Sequence, residues 1–282
     1  MRFKRMVWCG VLMAAAAVTA QDEPLARMTL QSGKKWVVYL QGRKGDVLEM
    51  RRKGDQNAIQ MPASAFSEME FRIEVDLEEA RDWYRKGEFD RIRQEVGGLI
   101  EERLPYLDIP NNLTPYSILM LKANYWDGHY DEVVESAERL SESLDDDVRR
   151  TAEGFRALTH LEREETNDAR RIIEKLDIRE DAEGQGAMDW YLLSLYRQQR
   201  GELISSQETV AHVVAFHPRD FEWMPAALHH SAELYGLSDD FNAADRVIAE
   251  VRTFFGHTFW SNRVDSLQTR LRELEREAMK SE

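Results

Sequence analysis

The sequence predicts a mostly α-helical protein that carries a small β unit near its N-terminus. Short β-rich runs separated by glycine-containing turns occupy residues 28–73, whereas residues 74–258 show the helical period of apolar side chains. Within the helical part, a helix–turn–helix pattern recurs at a nearly regular spacing. Such self-similarity is typical of stacked helix pairs that bury one another's apolar faces.

The first 20 residues have the layout of a secretory signal peptide. Three basic residues open the chain, residues 7–18 are apolar, and small side chains precede Gln21. We predict cleavage after Ala20, a linker at residues 21–27, and a periplasmic or secreted protein with no stable transmembrane anchor. The alternative is an uncleaved anchor, for which the apolar stretch is short.

Cysteine usage and charge exclude several classes of function. The only cysteine, Cys9, lies in the signal segment, so the mature chain would have no disulfide, thiol nucleophile or cysteine-ligated zinc. Removing the signal takes away three basic residues and no acidic ones, which leaves 35 basic against 52 acidic residues, a net charge of −17. Because non-specific contacts with phosphates need clustered cations, we expect no nucleic-acid partner.

The β unit, residues 28–73, contains four or five short strands joined by turns. This density favours a small SH3-like or Sm-like barrel, with an open sheet as the alternative. The unit is basic, and its two charged turns carry Arg43, Lys44, Arg51, Arg52 and Lys53. These cations could contact anionic lipid, polysaccharide or the acidic helical part of the same chain.

Five segments of the helical part align on the turn between two helices. The equivalent positions, spaced 41, 36, 37 and 38 residues apart, are Phe89, Tyr130, Thr166, Leu203 and Phe241. Three of the five segments carry a turn glycine two residues earlier: Gly87, Gly128 and Gly201.

This pattern resembles the tetratricopeptide repeat (TPR), a pair of antiparallel helices with a glycine turn followed by an aromatic residue. Trp190 stands where that family places its tryptophan. The third and fourth segments lack the aromatic residue, and the spacing exceeds the family's usual length of about 34 residues. The resemblance implies an α-solenoid of about five TPR-like helix pairs over residues 74–258. The layout is also similar to uncharacterised secreted bacterial proteins with a short β module before such repeats.

Residues 259–282 are predicted to form one C-terminal capping helix. Val264, Leu267, Leu271 and Leu274 recur at the spacing of a single helix face. We expect this stripe to pack on the last repeat. The alternative is a short seam between two copies, which would make the protein a homodimer.

No motif for catalysis or metal binding stands out. The seven histidines contain no H-E-x-x-H arrangement, and the acidic run at residues 144–147 lacks the glycine of a calcium loop. Serine-nucleophile and phosphate-binding motifs are absent, and no carboxylate pair is singled out for glycosidase chemistry. We therefore predict no enzymatic activity, no metal and no cofactor.

The TPR resemblance implies a concave face lined by the first helix of each pair. The repeat phase places on that face Arg81, Tyr84, Lys122, Tyr125, Tyr191, Gln198 and His229. Since aromatic and cationic side chains dominate binding hot spots, we predict that a protein or peptide partner binds there, with the three tyrosines as anchors. The alternative is that these tyrosines pack between repeats.

The predicted function is therefore a non-enzymatic scaffold or adaptor of the bacterial cell envelope. Two alternatives remain: a polysaccharide-binding or hydrolase-associated envelope subunit, and an assembly protein that dimerises through its C-terminal helix.

Overall fold

A computed structural model describes residues 23–143, 145–182 and 184–281. The predicted signal peptide and Cys9 lie outside these residues. The described chain is mostly helical, with one antiparallel sheet of five strands at its N-terminal end, as the sequence predicted. None of its helices is both long and apolar enough to cross a bilayer.

The sheet has the strand order β4-β3-β2-β1-β5. Its strands are β1 (Leu25–Leu30), β2 (Lys35–Lys44), β3 (Val47–Arg52), β4 (Ala58–Pro62) and β5 (Phe66–Phe71). A two-residue turn whose first residue, Gly45, has φ of 59° joins β2 and β3, as glycine permits. The described pairings leave β4 and β5 as edge strands, and closure into a barrel stays a prediction.

The sheet begins earlier than expected. Leu25 pairs with Tyr39, and Ala26 is buried, so residues 25–27 belong to β1 and not to the predicted linker. Apolar and polar side chains alternate over only three residues before Met28, which is too short a pattern to indicate a strand. The pairing partner, supplied by β2, is what makes this segment extended.

The buried face of the sheet is completed by a segment of the helical part, residues 104–113. Tyr106, Ile109 and Leu113 join the sheet residues in one apolar core. Asn112 clamps β5: its Oδ1 accepts from the Phe71 amide at 2.8 Å and its Nδ2 donates to the Phe71 carbonyl at 2.9 Å. The β unit therefore shares its core with the chain that follows it.

The helical part consists of helix pairs. The helices are α1 (Leu77–Lys86), α2 (Phe89–Ile92), α3 (Gly98–Glu101), α4 (Thr114–Trp126), α5 (Tyr130–Leu140), α6 (Asp146–Glu162), α7 (Thr166–Lys175), α8 (Ala187–Gln199), α9 (Leu203–Phe216), α10 (Trp223–Leu237), α11 (Phe241–Phe255) and α12 (Trp260–Ser281). A π-helical turn, Arg93–Gly97, joins α2 to α3. The five aligned sequence positions are the first residues of α2, α5, α7, α9 and α11.

All five turns share one backbone conformation. The turn glycines Gly87, Gly128 and Gly201 have φ between 77° and 81°. In the two segments without a glycine, Glu164 and Asp239 occupy the equivalent position with φ of 59°. The repeat thus preserves a left-handed residue two positions before the second helix, even where the side chain makes that conformation costly.

The first helices of the pairs surround a filled interior. Rings from α4, α10 and the start of α12 meet there: Trp126 lies 6.1 Å from Trp223 and 4.8 Å from Trp260 between ring centroids. Phe259 joins this cluster, and its amide donates to the Arg85 carbonyl of α1 at 3.0 Å. We call Trp126, Trp223, Phe259 and Trp260 the aromatic plug. Through it, the last helix contacts the first helix pair, and the stack curls into a ring.

The apolar stripe of α12 packs within its own chain. Val264, Leu267 and Leu271 are buried, and a Leu271 methyl lies so close to Gly236 of α10 that a Cβ there would clash. Leu274 is 38% exposed. This is the arrangement expected of a capping helix, and it leaves most of the stripe unavailable as the dimer seam considered above.

Candidate functional site

In place of the single concave groove that the sequence predicted, the structure has two separate openings. The aromatic plug blocks the middle of the ring, so the seven predicted site residues divide between its ends. Arg81, Tyr84 and Lys122 line one opening, which we call the N-end cleft because the first turns of α4, α6 and α10 border it. Of the other four, Gln198 and His229 line the opposite opening, the C-end mouth, which the last turns of α6, α8 and α10 border, and Tyr125 and Tyr191 are buried.

The N-end cleft has a volume of about 650 Å³. One wall is apolar, with Ile118 of α4 and Val148 of α6. Phe221, in the loop before α10, is 81% exposed and stands at its edge. Arg81 and Arg85 of α1 also line the cleft, and each pairs with an acid of the same helix, Arg81 with Glu78 and Arg85 with Asp82.

A polar contact at the bottom of the cleft links three elements of the fold. Glu222 accepts hydrogen bonds from the Tyr84 hydroxyl at 3.3 Å and from the Lys122 ammonium group. Asp220 positions this carboxylate, since its Oδ1 accepts from the backbone amides of Glu222 and Trp223. Burial and the Glu222 charge raise the pKa of Tyr84, so its hydroxyl stays a donor.

Sequence reasoning missed Phe221 and Glu222. Both precede α10 and therefore fall outside the inner-helix positions from which the concave face was mapped. An exposed phenylalanine between Asp220 and Glu222 was the one signal in the sequence, since large apolar side chains are usually buried in such stacks.

The C-end mouth differs from the predicted groove. Tyr125 and Tyr191 are only 3% and 5% exposed, because each packs against rings of the interior, Phe155 and Trp223 respectively at 5.4 Å. They cannot act as surface anchors for a bound peptide chain. Packing between repeats, the alternative considered for these residues, is what the structure shows.

Two cavities open at this mouth. One, of about 460 Å³, is lined by Glu162, Gln198 and Glu233, with leucine side chains around them. The other, of about 400 Å³, is lined by His229, Arg263 and Arg270. The Arg270–Glu233 ion pair, 2.6 Å between Nη2 and Oε1, joins the two sets of lining residues.

Glu162 and Glu233 at the mouth titrate differently. Desolvation, reinforced by the Glu233 charge, raises the pKa of Glu162. Desolvation acts on Glu233 as well, but His230, Arg270 and His229 outweigh it and hold the pKa of Glu233 at about 2. Burial lowers the pKa of His229 to about 4, so this imidazole is neutral near pH 7.

A serine, a histidine and a glutamate meet near this mouth in the order of a catalytic triad. His230 Nε2 lies 3.0 Å from Ser194 Oγ, and His230 Nδ1 lies 3.8 Å from Glu233. Ser194 is completely buried and also exchanges hydrogen bonds with Ser206 of α9. Since no substrate can reach Ser194, the group is a polar contact that joins α8, α9 and α10.

A further set of metal-compatible side chains lies at the α6–α7 turn. Ligand atoms of His160, Glu165 and Asp168 lie within 4.8 Å of one another. His160 Nδ1 and Glu165 Oε2 are 2.6 Å apart, and Asp168 pairs with Arg171, so each group already has a partner within the chain. Because the three residues come from two helices, a search for paired histidines could not find them.

The basic turns of the sheet do not form one free patch. The Arg43 guanidinium pairs with Asp108 and donates to the Pro105 carbonyl at 2.7 Å, both in the segment that covers the sheet. Arg51 pairs with Glu23, and Arg52 stacks 3.6 Å from the centroid of the Trp36 ring. Anionic lipid, polysaccharide and the helical part of the same chain were the partners considered for these turns. Arg43 binds to the last of these, through Asp108.

No profile of a known protein family matches the sequence, and no curated protein is significantly similar to it.

Proposed function

We propose that the protein is a non-enzymatic adaptor that holds a short segment of a partner protein in the N-end cleft. The observation that carries this proposal is the 81% exposed Phe221 at the edge of a cleft that has an apolar wall and is also lined by Arg81 and Arg85. Aromatic and arginine side chains around a pocket are the usual centres of protein–protein binding. The fitting segment combines an apolar side chain with a carboxylate.

Charge geometry supports an acidic partner at this end. The N-terminal turn of α4, which has no side-chain cap, borders the cleft, and helix N-termini carry partial positive charge; Asp145 and Asp220 cap those of α6 and α10. The Glu222 carboxylate is already satisfied by Tyr84 and Lys122, so it does not oppose an incoming acid as a free charge would.

We also infer that the helix pairs form a diverged TPR-like stack. The support is the left-handed residue found two positions before the second helix of each of the five pairs, twice without glycine. A secreted or periplasmic location belongs to the same proposal and depends on residues 1–20. N-terminal sequencing of the protein from cells tests it, with Gln21 as the expected first residue.

Selection from a random peptide-display library tests the cleft. Wild-type protein should enrich peptides that pair an acidic with an aromatic or aliphatic residue, and Phe221→Ala should bind the same peptides at least about tenfold more weakly. The matched control is Phe254→Ala, because Phe254 is 64% exposed on α11, away from the cleft. Equal binding to the wild type and Phe221→Ala, or no enrichment of such peptides, would refute the proposal.

A further inference from the structure

Glu162 differs from Glu233, one of the two other carboxylates that line its cavity at the C-end mouth. In the described part of the chain, no lysine, arginine or histidine lies within ion-pair distance of Glu162, whereas Glu233 in the same cavity pairs with Arg270. The carboxylate of Glu162 accepts from the Tyr125 hydroxyl at 3.2 Å. It is therefore positioned by the fold and has no ion-pair partner in the described part of the chain, although the charge of Arg263 acts on it from a longer distance.

Tyr191 lies below the lining of the same cavity. It is only 5% exposed and does not line the cavity itself. Tyr191 lies one and two turns before Leu195 and Gln198 on the same face of α8, and both of these line the cavity. After burial, the charges of Glu162 and Glu233 are the main causes that raise the pKa of Tyr191. Its hydroxyl therefore stays protonated and adds no negative charge beneath these two carboxylates.

The remaining lining suits an alkyl chain. Leucine side chains from four helix ends surround the polar groups: Leu161, Leu195, Leu203 and Leu237. The side-chain amide of Gln198 makes no hydrogen bond within the described chain and adds a further acceptor oxygen. Glu162 is also the last residue of α6, where the partial negative charge of the helix C-terminus favours a cation.

We propose that the C-end mouth binds a primary ammonium group carried on an alkyl chain, with Glu162 as its counter-ion. An ammonium group has three N–H donors, and the side chains of Glu162 and Gln198, which line the cavity, offer three acceptor oxygens, two on the carboxylate and one on the amide. The leucines cover the methylene groups. This site is independent of the N-end cleft, from which the aromatic plug separates it.

Two sources could supply this group: a free aliphatic diamine or polyamine, and a lysine side chain of a peptide. Isothermal titration of the full protein with cadaverine and, separately, with acetyl-Gly-Lys-Gly-amide distinguishes them. Pentanol, which has the chain without the charge, is the ligand control. We expect one of the two amines to bind and pentanol not to bind.

The decisive variant is Glu162→Gln, which keeps an acceptor for Tyr125 and removes only the charge. It should weaken amine binding at least about tenfold, as expected for a charge-assisted hydrogen bond. Gln198→Leu should weaken it several-fold. Glu208→Gln, at an exposed position of α9, is the matched control and should bind as the wild type does.

Two results would contradict the proposed ammonium site. If neither amine binds below about 10 mM, or if Glu162→Gln binds as tightly as the wild type, the mouth is not an ammonium site. Circular dichroism of each variant shows whether the fold is retained. Peptides selected on the N-end cleft should bind Glu162→Gln normally, so this result and the test of the cleft are read separately.

Discussion

The two ends of the helical ring differ in how their charges are paired. At the N-end cleft, Tyr84, Lys122 and Glu222 satisfy one another, and the bordering cations Arg81 and Arg85 pair with acids of α1. At the C-end mouth, Glu162 has no ion-pair partner among the described residues, although its neighbour Glu233 does. The N-terminal turn of α4 lies at the cleft and the C-terminal turns of α6, α8 and α10 lie at the mouth, so the helix dipoles favour an anion at one end and a cation at the other. One stack can therefore offer two binding chemistries.

This comparison depends on the aromatic plug that separates the ends. Trp126→Ala should lower the free energy of unfolding by about 3–5 kcal/mol, because the buried indole packs against Trp223, Phe259 and Trp260. Urea unfolding followed by circular dichroism measures the change. Phe254→Ala, which removes an exposed ring, should lower it by less than about 1 kcal/mol. Similar losses for the two variants would mean that the ring interior is not closed by this cluster.

The mouth should also make the protein acid-sensitive through His229. Its folded pKa of about 4 lies below the ordinary value of 6.5, so the unfolded chain binds the proton more readily. Stability is then complete above pH 6.5 and falls as the pH drops toward 4, by about 2 kcal/mol at pH 5. Between pH 7.5 and pH 5 the wild type loses this stability because the unfolded chain binds a proton at His229. His229→Gln should not show that part of the loss.

Thermal or urea unfolding at the two pH values checks this. Glu233, Arg263, His230 and Arg270 all act on His229, and the pKa of Glu233 is about 2, so this carboxylate contributes its own loss only below pH 4.5. A control, His257→Gln, changes an exposed histidine and should leave the loss at pH 5 as it is. If His229→Gln lost as much stability as the wild type, His229 would be fully hydrated in the folded protein and burial would not lower its pKa.

The smallest expected effect concerns the turn beside the mouth. Glu164 has φ of 59° where three of the other repeats have glycine, so Glu164→Gly should raise the free energy of unfolding by roughly 0.5–1 kcal/mol. The same substitution at Glu208, inside α9, should lower it by about 1 kcal/mol. Urea unfolding compares the two. Destabilisation by Glu164→Gly would argue that the left-handed position is not equivalent across the repeats.

Local patterns were enough to locate the helix pairs. The turn residues and the apolar period act over a few neighbouring residues, and the starts of α2, α5, α7, α9 and α11 follow from them. The same holds for most of the sheet, where alternation and glycine turns mark the hairpins. Strand β1 was placed three residues too late because its first residues are extended only by pairing with β2.

The candidate sites depend on contacts that no local pattern contains. The repeat phase identified Arg81, Tyr84 and Lys122 at an open surface, but it placed Tyr125 and Tyr191 there as well, although they are buried. Phase specifies which side of a helix faces inward. Whether that side is open depends on how far the stack curls, and here Phe259 and Trp260, more than 130 residues beyond Trp126, fill the space. Sequence alone therefore specified the helices and the inward faces, while tertiary closure of the ring decided which of those residues a ligand can reach.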